Sequence, residues 1–479
     1  MDMRSIDEKD VKDLEIRGRY LRRRGFGGYR SEDVDAFLLE LIRAVRGLLA
    51  ENEGLRAGVS PEHLRSATSS RRMSPFDVQD AGFHRARVGG YDMRSVDEYL
   101  DEVTELLTAL THENEALRRA SSELGRGGRE PMTTSASSTP RDDGFAMPAE
   151  FSPHQATWMS WPAREDLWGG RLDEAKDEWA ATARAVGAFE PVAMVCDPGQ
   201  AEDVRNRCGS GVEPLEVPID DSWLRDNGPI FVTNPSGEVA LVHFGFNSWG
   251  EKYLPFDRDA ALPEALAAHF GVRRYVAPFV LEGGSFFVDG EGTLITTEQC
   301  LLHPNRNPSL SREEIEEGLR AFLGVDMVIW LPHGLVEDRD TDGHVDGLAQ
   351  YVRPGAVMLA TAAGSDDLNA ERFEEDRGVL TRTHDARGRS LEVLEGPVNS
   401  WAELPEIGPI VIPYMNHYLA NGAVIVPVGE VPADEPALEL LAKAYPDREV
   451  VGVPGAWISH GGGGPHCITQ QVPAGSFVS

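Results

Sequence analysis

The sequence has few cysteines and no long apolar segment. Four cysteines are spread over 479 residues and none forms a CxxC pair, which argues against a disulfide framework and a zinc knuckle. No run of about 18 uncharged apolar residues occurs, so no transmembrane helix is expected. The first residues lack the apolar segment of a secretory signal. Together these absences predict a cytoplasmic protein with reduced thiols.

Basic residues are scarce relative to acidic ones. The chain has 46 lysines and arginines against 79 aspartates and glutamates, a formal net charge of −33. Residues 1–130 are nearly balanced, with 25 acids and 22 bases, so the rest of the chain carries almost all of this charge. Such a surface repels nucleic acid and attracts small cations. We expect no nucleic-acid partner, although solubility alone would also explain the charge.

An internal repeat occupies the N-terminal part. A shift of 62 residues places GGYRSEDVDAFLLELIRAVRGLLAENEGLR on GGYDMRSVDEYLDEVTELLTALTHENEALR. Each copy has a seam of residues spaced alternately by four and three: Val34, Leu38, Leu41, Val45, Leu48, Asn52 and Leu55, then Val96, Leu100, Val103, Leu107, Leu110, Asn114 and Leu117. This spacing predicts an α-helical coiled-coil module, and an asparagine within the seam favours parallel pairing in register. An ordinary amphipathic helix is the alternative, and pairing can occur within one chain or between two.

The repeat resembles the N-terminal module of DivIVA-type proteins, which organise bacterial poles and division sites. The shared pattern is a hook that ends in Gly-Tyr, then acidic residues, Val-Asp and an apolar step onto the helix. The resemblance implies a homo-oligomer formed through the coiled coil and a polar or membrane-associated location. That family's hook presents an aromatic-basic pair, whereas here Phe26 and Val88 hold the aromatic position and glycine follows each. A basic cluster lies nearby, formed by Arg22, Arg23, Arg24, Arg85 and Arg87.

Composition and pattern divide the chain into four parts. We expect a first repeat at 1–58, a second at 59–118, a flexible linker rich in Ser, Thr, Gly and Pro at 119–146, and a catalytic domain at 147–479. In the last part, β-rich runs such as EVALVHF and GAVIVPVG alternate with helical segments such as SREEIEEGLRAFLG. This alternation predicts an α/β fold.

Cys467 is the first candidate for chemistry. It follows four glycines, a proline and a histidine in GGGGPHCITQQ, residues 461–471. A run of glycines is tolerated where a ligand must approach the backbone closely. A cysteine beside such a loop is a candidate nucleophile, the alternative being a small buried cysteine at a hinge. Cys196, Cys208 and Cys300 lack such surroundings and are expected to be structural.

Three further segments supply a histidine, carboxylates and an aromatic ring. DTDGHVDG places His344 and Asp346 two residues apart, hence on one face of an extended strand; a proton-transfer site, a metal site and a solvated acidic turn all fit this pattern. DDSWLRDNGP carries Trp223 and Asp226, which suit a planar cation. LEGGS places Glu282 before two glycines at the start of a strand, where a simple turn carboxylate is the alternative.

These residues together point to a guanidinium substrate. Hydrolases of neutral acyl groups do not surround their electrophile with carboxylates, whereas a guanidinium pairs with Asp or Glu on its edges. Its central carbon can then be attacked by a thiolate. The sequence contains neither a P-loop nor a dinucleotide-binding fingerprint.

The segments MPAEFSPHQATWMSWP, DDSWLRDNGP, FNSWG, LEGGS, TTEQCLLHPNRNP, DTDGHVDG, YMNHYLANGAVIVP and GGGGPHCITQQ resemble the agmatine deiminases of the guanidino-modifying (pentein) superfamily. The resemblance implies a five-bladed propeller of ββαβ units and hydrolysis of agmatine, a step of putrescine biosynthesis, with no cofactor and no metal. It implies that Asp226 and Asp346 grip the guanidinium, Trp223 walls the site, Glu282 adds a carboxylate, Cys467 attacks and His344 transfers protons.

Two alternatives stay open at this point. The enzyme can act on another guanidine, such as arginine or a peptidyl arginine, in which case a basic group should meet the substrate's other end. Arg225 and Arg306 are the basic residues within the motifs, and we expect both to be structural. The second alternative is a polar scaffold that carries the enzyme fold as a passenger.

Overall fold

The computed structural model describes residues 29–56, 90–125 and 138–478 except 169, 366 and 406, together with residues 11, 12, 18, 21, 78 and 83. The chain divides into two units, the first formed by Met1–Ala136 with Ser248–Pro255 and the second by Ser137–Asn247 with Phe256–Ser479. None of the helices in the described part of the chain combines the length and apolar character that a bilayer-spanning helix needs.

Two long helices dominate the described part of the first unit. They are α1 (Ser31–Arg56) and α2 (Met93–Gly125). Residues near their starts meet, since the Tyr91 hydroxyl donates to Asp35 at 2.7 Å. Residues near their ends also meet, since the Asn114 side chain donates to Asn52 at 2.7 Å. The two copies of the repeat therefore pair in parallel and in register within one chain.

The predicted seam lies on the paired faces of these helices. Val34, Val45, Val96 and Val103 are fully buried there. Asn52 is buried as well, and its amide donates to the carbonyl of Leu110 at 2.9 Å. A buried asparagine is tolerated because its polar atoms find partners across the pair. The basic cluster, Phe26, Val88 and residues 126–137 of the expected linker lie outside the described residues. Residues 119–125, expected to begin the linker, continue α2.

The second unit repeats one supersecondary pattern. An antiparallel hairpin is followed by a helix and by a third strand parallel to the hairpin's second strand, and this occurs four times along the chain. A fifth sheet has the same pattern, but its first strand, β18 (Thr469–Pro473), lies near the C-terminal end of the unit. The described strands form separate sheets of two to four strands, and none of these sheets closes on itself.

The strands of this unit follow in chain order: β1 (His154–Ser160), β2 (Val192–Cys196), β3 (Val212–Glu216), β4 (Ile230–Thr233), β5 (Glu238–Gly245), β6 (Arg274–Val280), β7 (Phe286–Val288), β8 (Thr293–Thr297), β9 (Met327–Leu331), β10 (Ala349–Arg353), β11 (Ala356–Leu359), β12 (Glu392–Glu395), β13 (Ser400–Leu404), β14 (Gly408–Ile412), β15 (Tyr418–Ala420), β16 (Ala423–Val428), β17 (Glu449–Pro454), β18 (Thr469–Pro473) and β19 (Ser476–Phe477). The helices are α3 (Leu172–Gly187), α4 (Ala201–Cys208), α5 (Leu224–Asn227), α6 (Asp257–Phe270), α7 (Glu298–Leu301), α8 (Arg312–Leu323), α9 (Ala370–Arg382), α10 (Asp434–Ala444) and α11 (Ala456–His460). The predicted α/β fold is confirmed.

Local sequence explains these elements well. β16 reads AVIVPV, a β-branched run whose first five residues are all buried, as expected of a strand covered on both faces. α8 begins with a capping box in which Ser311 accepts from the backbone of Glu314 and Glu314 accepts from the backbone of Ser311. Such a box satisfies two of the unpaired amides of the first helical turn.

The second unit begins earlier than the expected residue 147. Phe145 is buried in the core of this unit, and Ala146 pairs with Thr233 in a β-bridge. Asp143 accepts hydrogen bonds from Arg273 and from the Tyr275 hydroxyl, both of which lie on the unit's own β6 region. Residues 138–146 are thus part of this unit's packing and do not form a linker.

Candidate active site

Cys467 is placed by the glycine segment and by the turn that leads into β18. Its side chain is 5% exposed. The Asn416 amide donates to its sulfur at 3.1 Å, and the side-chain oxygen of Asn416 accepts from the Cys467 backbone at 3.2 Å. The sulfur itself donates to Asp346 Oδ2 at 3.4 Å. Asn416 therefore holds both the backbone and the sulfur of Cys467 in one orientation.

Two of the glycines before Cys467 are required by close packing. A Cβ on Gly463 would lie 2.9 Å from Cys467 Cβ and 2.7 Å from the Trp223 ring. A Cβ on Gly464 would lie 2.8 Å from Asn416 Oδ1. Real side chains do not tolerate such distances, so the segment needs glycine to bring its backbone against the thiol and the indole. The close approach seen here is made by the protein's own side chains, whereas the sequence predicted an approach by a ligand.

Asp226, His344 and Asp346 converge on Gly284. A Cβ on Gly284 would lie 2.7 Å from His344 Nδ1 and 2.9 Å from a carboxylate oxygen of each aspartate. Gly284 also donates its backbone N–H to Asp226 Oδ1 at 2.9 Å. Because glycine has no side chain, these three groups can approach its backbone closely. The structure thus unites residues that are up to 120 positions apart.

The backbone around His344 differs from the expected extended strand. Asp346 lies in a 3₁₀ turn, Val345–Gly347, and His344 precedes that turn. The expectation of one strand face was therefore wrong. The cause is Asp338, whose carboxylate accepts from the backbones of Thr341 and His344 at 3.0 and 2.9 Å and folds the segment into a turn.

His344 is buried, and the groups around it favour its protonated form. It is 2% exposed, and neither ring nitrogen is hydrogen-bonded within the described part of the chain. Nδ1 lies 3.9 Å from Asp226 and Nε2 lies 3.8 Å from Glu282. Burial lowers the pKa of His344, but Asp226 and the neighbouring Cys300 and Glu282 outweigh burial and raise it well above its ordinary value. The free site therefore holds an imidazolium at neutral pH.

Glu282 is engaged on its other side by a buried arginine. Arg306 donates from Nε to Glu282 Oε1 at 2.6 Å and from a terminal nitrogen to Asp342 at 2.7 Å. Burial alone would raise the pKa of Glu282, but Arg306 and His344 lower it below the ordinary value. Asp342 is thus an ion-pair partner of Arg306, and the expectation of a structural Arg306 agrees with these contacts.

A second buried network lies behind Asp346. His466 faces Asp346 through Nδ1 and Glu150 through Nε2, each at 2.9 Å. Burial and Arg225 lower the pKa of His466, but the two carboxylates raise it overall. Arg225 donates to Glu150 at 3.3 Å and to Gln471 at 2.6 Å. The network keeps Asp346 ionised, since the pKa of Asp346 is lowered chiefly by His466 against the opposing effect of burial.

Trp223 forms one wall beside the thiol. The indole is 5% exposed and packs against Trp168 and Trp179, with ring centroids 6.4 and 5.5 Å away. Asp226 follows one helical turn later in α5, where its backbone N–H donates to the carbonyl of Trp223 at 3.0 Å. This short helix therefore presents an aromatic face and a carboxylate together.

The thiol of Cys467 is held in its protonated form. Burial, followed by Asp346 and Asp226, raises its pKa well above the ordinary value. We expect the rate of alkylation of Cys467 by iodoacetamide, followed by peptide mass spectrometry, to rise with pH with a midpoint above the usual value of about 8.5. Asp346→Asn should move the midpoint down because one negative charge is removed. A midpoint near pH 7 in the unmodified enzyme would contradict this account.

Sequence reasoning missed four residues of the site. Asn416, His466 and Glu150 contact Cys467, Asp346 or their partners, and Cys300, expected to be merely structural, is buried beside His344. His466 is adjacent to Cys467 in GGGGPHC, and this proximity was the available signal. Asn416 and Glu150 lie in the quoted segments YMNHYLANGAVIVP and MPAEFSPHQATWMSWP, but neither segment contains a candidate residue.

Comparisons with known proteins agree with this arrangement. The Porphyromonas-type peptidyl-arginine deiminase family matches residues 146–473. An agmatine deiminase of Pseudomonas aeruginosa strain UCBPP-PA14 is 44% identical over 360 residues, which cover 70% of this chain and 98% of that protein. The solved structure of an Enterococcus faecalis agmatine deiminase is 36% identical with a TM-score of 0.67, and it covers 71% of this chain and 98% of its own. A C. jejuni agmatine deiminase is 25% identical with a TM-score of 0.61, covering 70% and 97%.

The matched region starts at residue 146 and ends at residue 473. It contains all of the groups gathered around Gly284 and the loop that carries Cys467. The N-terminal repeats lie outside it. On this match the chain belongs to the Porphyromonas-type peptidyl-arginine deiminase family.

Proposed function

We propose that this protein hydrolyses agmatine to N-carbamoylputrescine and ammonia. The observation that carries the proposal is the convergence of Asp226, Asp346 and His344 on Gly284, with the sulfur of Cys467 3.4 Å from Asp346. Two carboxylates suit the edges of a guanidinium, and a planar cation can lie against the wall formed by Trp223. The relatives named above carry the name agmatine deiminase, which supports the same substrate.

The reaction begins with substrate-assisted activation of the thiol. Asp226 and Asp346 bind the guanidinium nitrogens, and the arriving positive charge offsets the carboxylates that keep the thiol protonated. The thiol of Cys467 then gives its proton to solvent water, and the resulting thiolate attacks the central carbon of the guanidinium. His344, protonated in the free site, donates a proton to the departing nitrogen as the C–N bond breaks and ammonia leaves.

The second half of the reaction releases the product. After ammonia leaves, a thiouronium joins the Cys467 sulfur to the former guanidinium carbon. His344, now neutral, accepts a proton from water, and the resulting oxygen nucleophile attacks this carbon. The C–S bond then breaks, the sulfur leaves as thiolate, and the carbamoyl product departs. Glu282 stabilises the imidazolium from the Nε2 side. The steps use no metal and no organic cofactor.

The arginines of the motifs support agmatine over arginine as substrate. Arg225 is 2% exposed and bonded to Glu150 and Gln471, while Arg306 is bonded to Glu282 and Asp342. Both guanidinium groups already have carboxylate partners, so neither is available to receive a substrate carboxylate. Agmatine has no carboxylate and needs no such group.

A two-substrate assay tests the assignment. We expect ammonia and a ureido product from agmatine, with kcat/KM at least about 10²-fold higher than for arginine or a peptidyl arginine. Ammonia release and the colour reaction for ureido groups measure this. A preference for arginine would overturn the agmatine assignment and leave only a deiminase of another guanidine.

The same assay on a chain that begins at Ser137 tests whether the N-terminal part is needed for activity, and we expect the shortened chain to stay active.

The five ββαβ units are proposed to stand around this centre as the blades of a propeller. The pairing of C-terminal strand β18 with β1 supports this, because it joins the last part of the unit to the first. The residues of the site come from segments that precede or follow strands of different sheets: Asp226 before β4, Glu282 before β7 and Cys467 before β18. Such an origin suits a site at the centre of a ring of sheets.

The N-terminal repeats, which we place at 1–58 and 59–118, are proposed to form a DivIVA-like coiled-coil module that sets the assembly of a cytoplasmic enzyme. The seam and the Asn52–Asn114 pair support a coiled coil. The homo-oligomer and a polar or membrane-associated location follow from the resemblance. Sedimentation of the full chain beside the chain that begins at Ser137 tests the assembly; equal subunit numbers would remove this role.

A further inference from the structure

One group of potential metal ligands lies beside the proposed proton-transfer residue. Glu282, Cys300 and His344 each offer an atom, and these atoms lie within 4.8 Å of one another. The three side chains are at most 2% exposed. They come from separate segments, with Glu282 before β7, Cys300 in α7 and His344 before the turn at Val345–Gly347. The reaction described above uses Glu282 and His344 but has no step for Cys300.

His344 is the second observation that points to a ligand here. Neither of its ring nitrogens has a hydrogen-bond partner among the described residues, although the ring is buried. Nε2 faces Glu282 Oε2 at 3.8 Å, beyond hydrogen-bond reach. Buried polar atoms are nearly always satisfied. An ion between Cys300, Glu282 and the ring would complete the coordination of all three.

The distances suit a zinc ion. Zinc binds sulfur at about 2.3 Å and nitrogen or oxygen at about 2.0 to 2.2 Å, so tetrahedral ligand atoms stand roughly 3.3 to 3.8 Å apart. For a nitrogen–oxygen pair this separation is about 3.3 to 3.6 Å, so the observed 3.8 Å between His344 Nε2 and Glu282 Oε2 must shorten by a few tenths of an ångström. The three ligand atoms, which lie within 4.8 Å of one another, then close around the ion. A thiol, an imidazole and a carboxylate are ligands that zinc prefers over magnesium or calcium.

We propose that Cys300, His344 and Glu282 form an inhibitory zinc site. On binding, the ion displaces the proton of His344 Nε2 and the thiol proton of Cys300, and both protons pass to solvent. The bound ion then holds the imidazole and places positive charge next to the position proposed for the guanidinium. The inhibition rests on the proposed role of His344, whereas binding of the ion does not. Arg306 occupies only the other oxygen of Glu282, so Oε2 is the oxygen that faces the ion.

Direct binding is measured with Co²⁺ as a spectroscopic probe. A cobalt–thiolate bond gives a charge-transfer band in the near ultraviolet, and the measurement needs no turnover. We expect the band in Cys467→Ala, where the nucleophile is absent, and in Cys208→Ser, which removes another buried thiol. We expect it to be lost in both Cys300→Ala and Cys300→Ser. A band that disappears with Cys467 or persists without Cys300 overturns the site, as does the absence of any band.

Two further measurements test whether Zn²⁺ inhibits agmatine turnover and where the ion binds. The Zn²⁺ concentration that halves agmatine turnover should rise at least tenfold in Cys300→Ala, measured against that variant's own activity, and stay unchanged in Cys208→Ser. Crystals of the unmodified chain soaked in Zn²⁺ should show an anomalous peak between Cys300, His344 and Glu282, a result that requires no variant to fold. A peak at Cys467 instead, or none at the three residues, contradicts the proposal. If the unmodified protein does not turn over agmatine, the proposed function is wrong. The anomalous peak would still show whether zinc binds at these three residues.

Discussion

Replacing Cys467 by serine is expected to lower kcat by at least about 10⁴-fold, the scale on which enzymes lose activity when a covalent nucleophile is removed. A serine hydroxyl in the same place is a far weaker nucleophile, because it stays protonated and the site raises rather than lowers the cost of forming an anion. Steady-state ammonia release measures the loss. Mass spectrometry of enzyme quenched in acid during turnover should show an adduct on the unmodified chain and none on the variant.

A matched control for this variant is Cys208→Ser. Cys208 is also buried, at 3% exposure, and burial likewise raises its pKa, to about 12. It ends α4, however, and none of the site residues described above contacts it in the described structure. We expect this control to keep its activity and to differ only in thermal stability. Comparable activity in the Cys467 variant, or loss of activity in both, would remove the thiol from the mechanism.

Gly284→Ala is the second change with a large expected effect. The added methyl would lie 2.7 to 2.9 Å from His344, Asp226 and Asp346, so it would displace the side chains that are proposed to bind and protonate the guanidinium. Gly284 does not have a positive φ, and alanine therefore suits its backbone. We expect kcat/KM for agmatine to fall by about 10²-fold or more, since displacements of about 1 Å at a reacting centre have effects of that size.

Gly211→Ala is the control for the glycine variant. A Cβ there meets nothing within 4 Å, and its φ is not positive either. Steady-state kinetics should show normal activity in this control, and circular dichroism should show both variants folded. An active Gly284→Ala enzyme with unchanged KM would mean that substrate does not bind between these carboxylates.

Many of the strands and helices of the second unit could be predicted from the sequence. The run EVALVHF covers β5 except for its last residue, GAVIVPVG contains β16, and SREEIEEGLRAFLG contains α8. Each such segment carries a local signal, either β-branched residues between turns or an N-cap followed by apolar periodicity. The boundary near residue 138 was not readable, because Phe145 and Asp143 are ordered by partners far along the chain.

The sequence predicted a site residue where a local motif pointed to its chemical role. Cys467 follows a run of glycines that only a close backbone approach explains, and the structure shows that approach at Gly463. The network of His466 and Glu150 was not readable, since these residues are 316 positions apart and meet only when β18 pairs with β1. The turn at His344 was missed for a similar reason, since it depends on the carboxylate of Asp338 six residues earlier.

The most direct test of the central claim is a crystal structure of Cys467→Ser with agmatine bound. The account predicts the guanidinium between Asp226 and Asp346, its plane facing Trp223, and the serine oxygen within about 3.5 Å of the central carbon, the separation of reacting atoms poised for attack. A guanidinium bound elsewhere, or one that lies between the carboxylates with residue 467 turned away behind packed side chains, would contradict it.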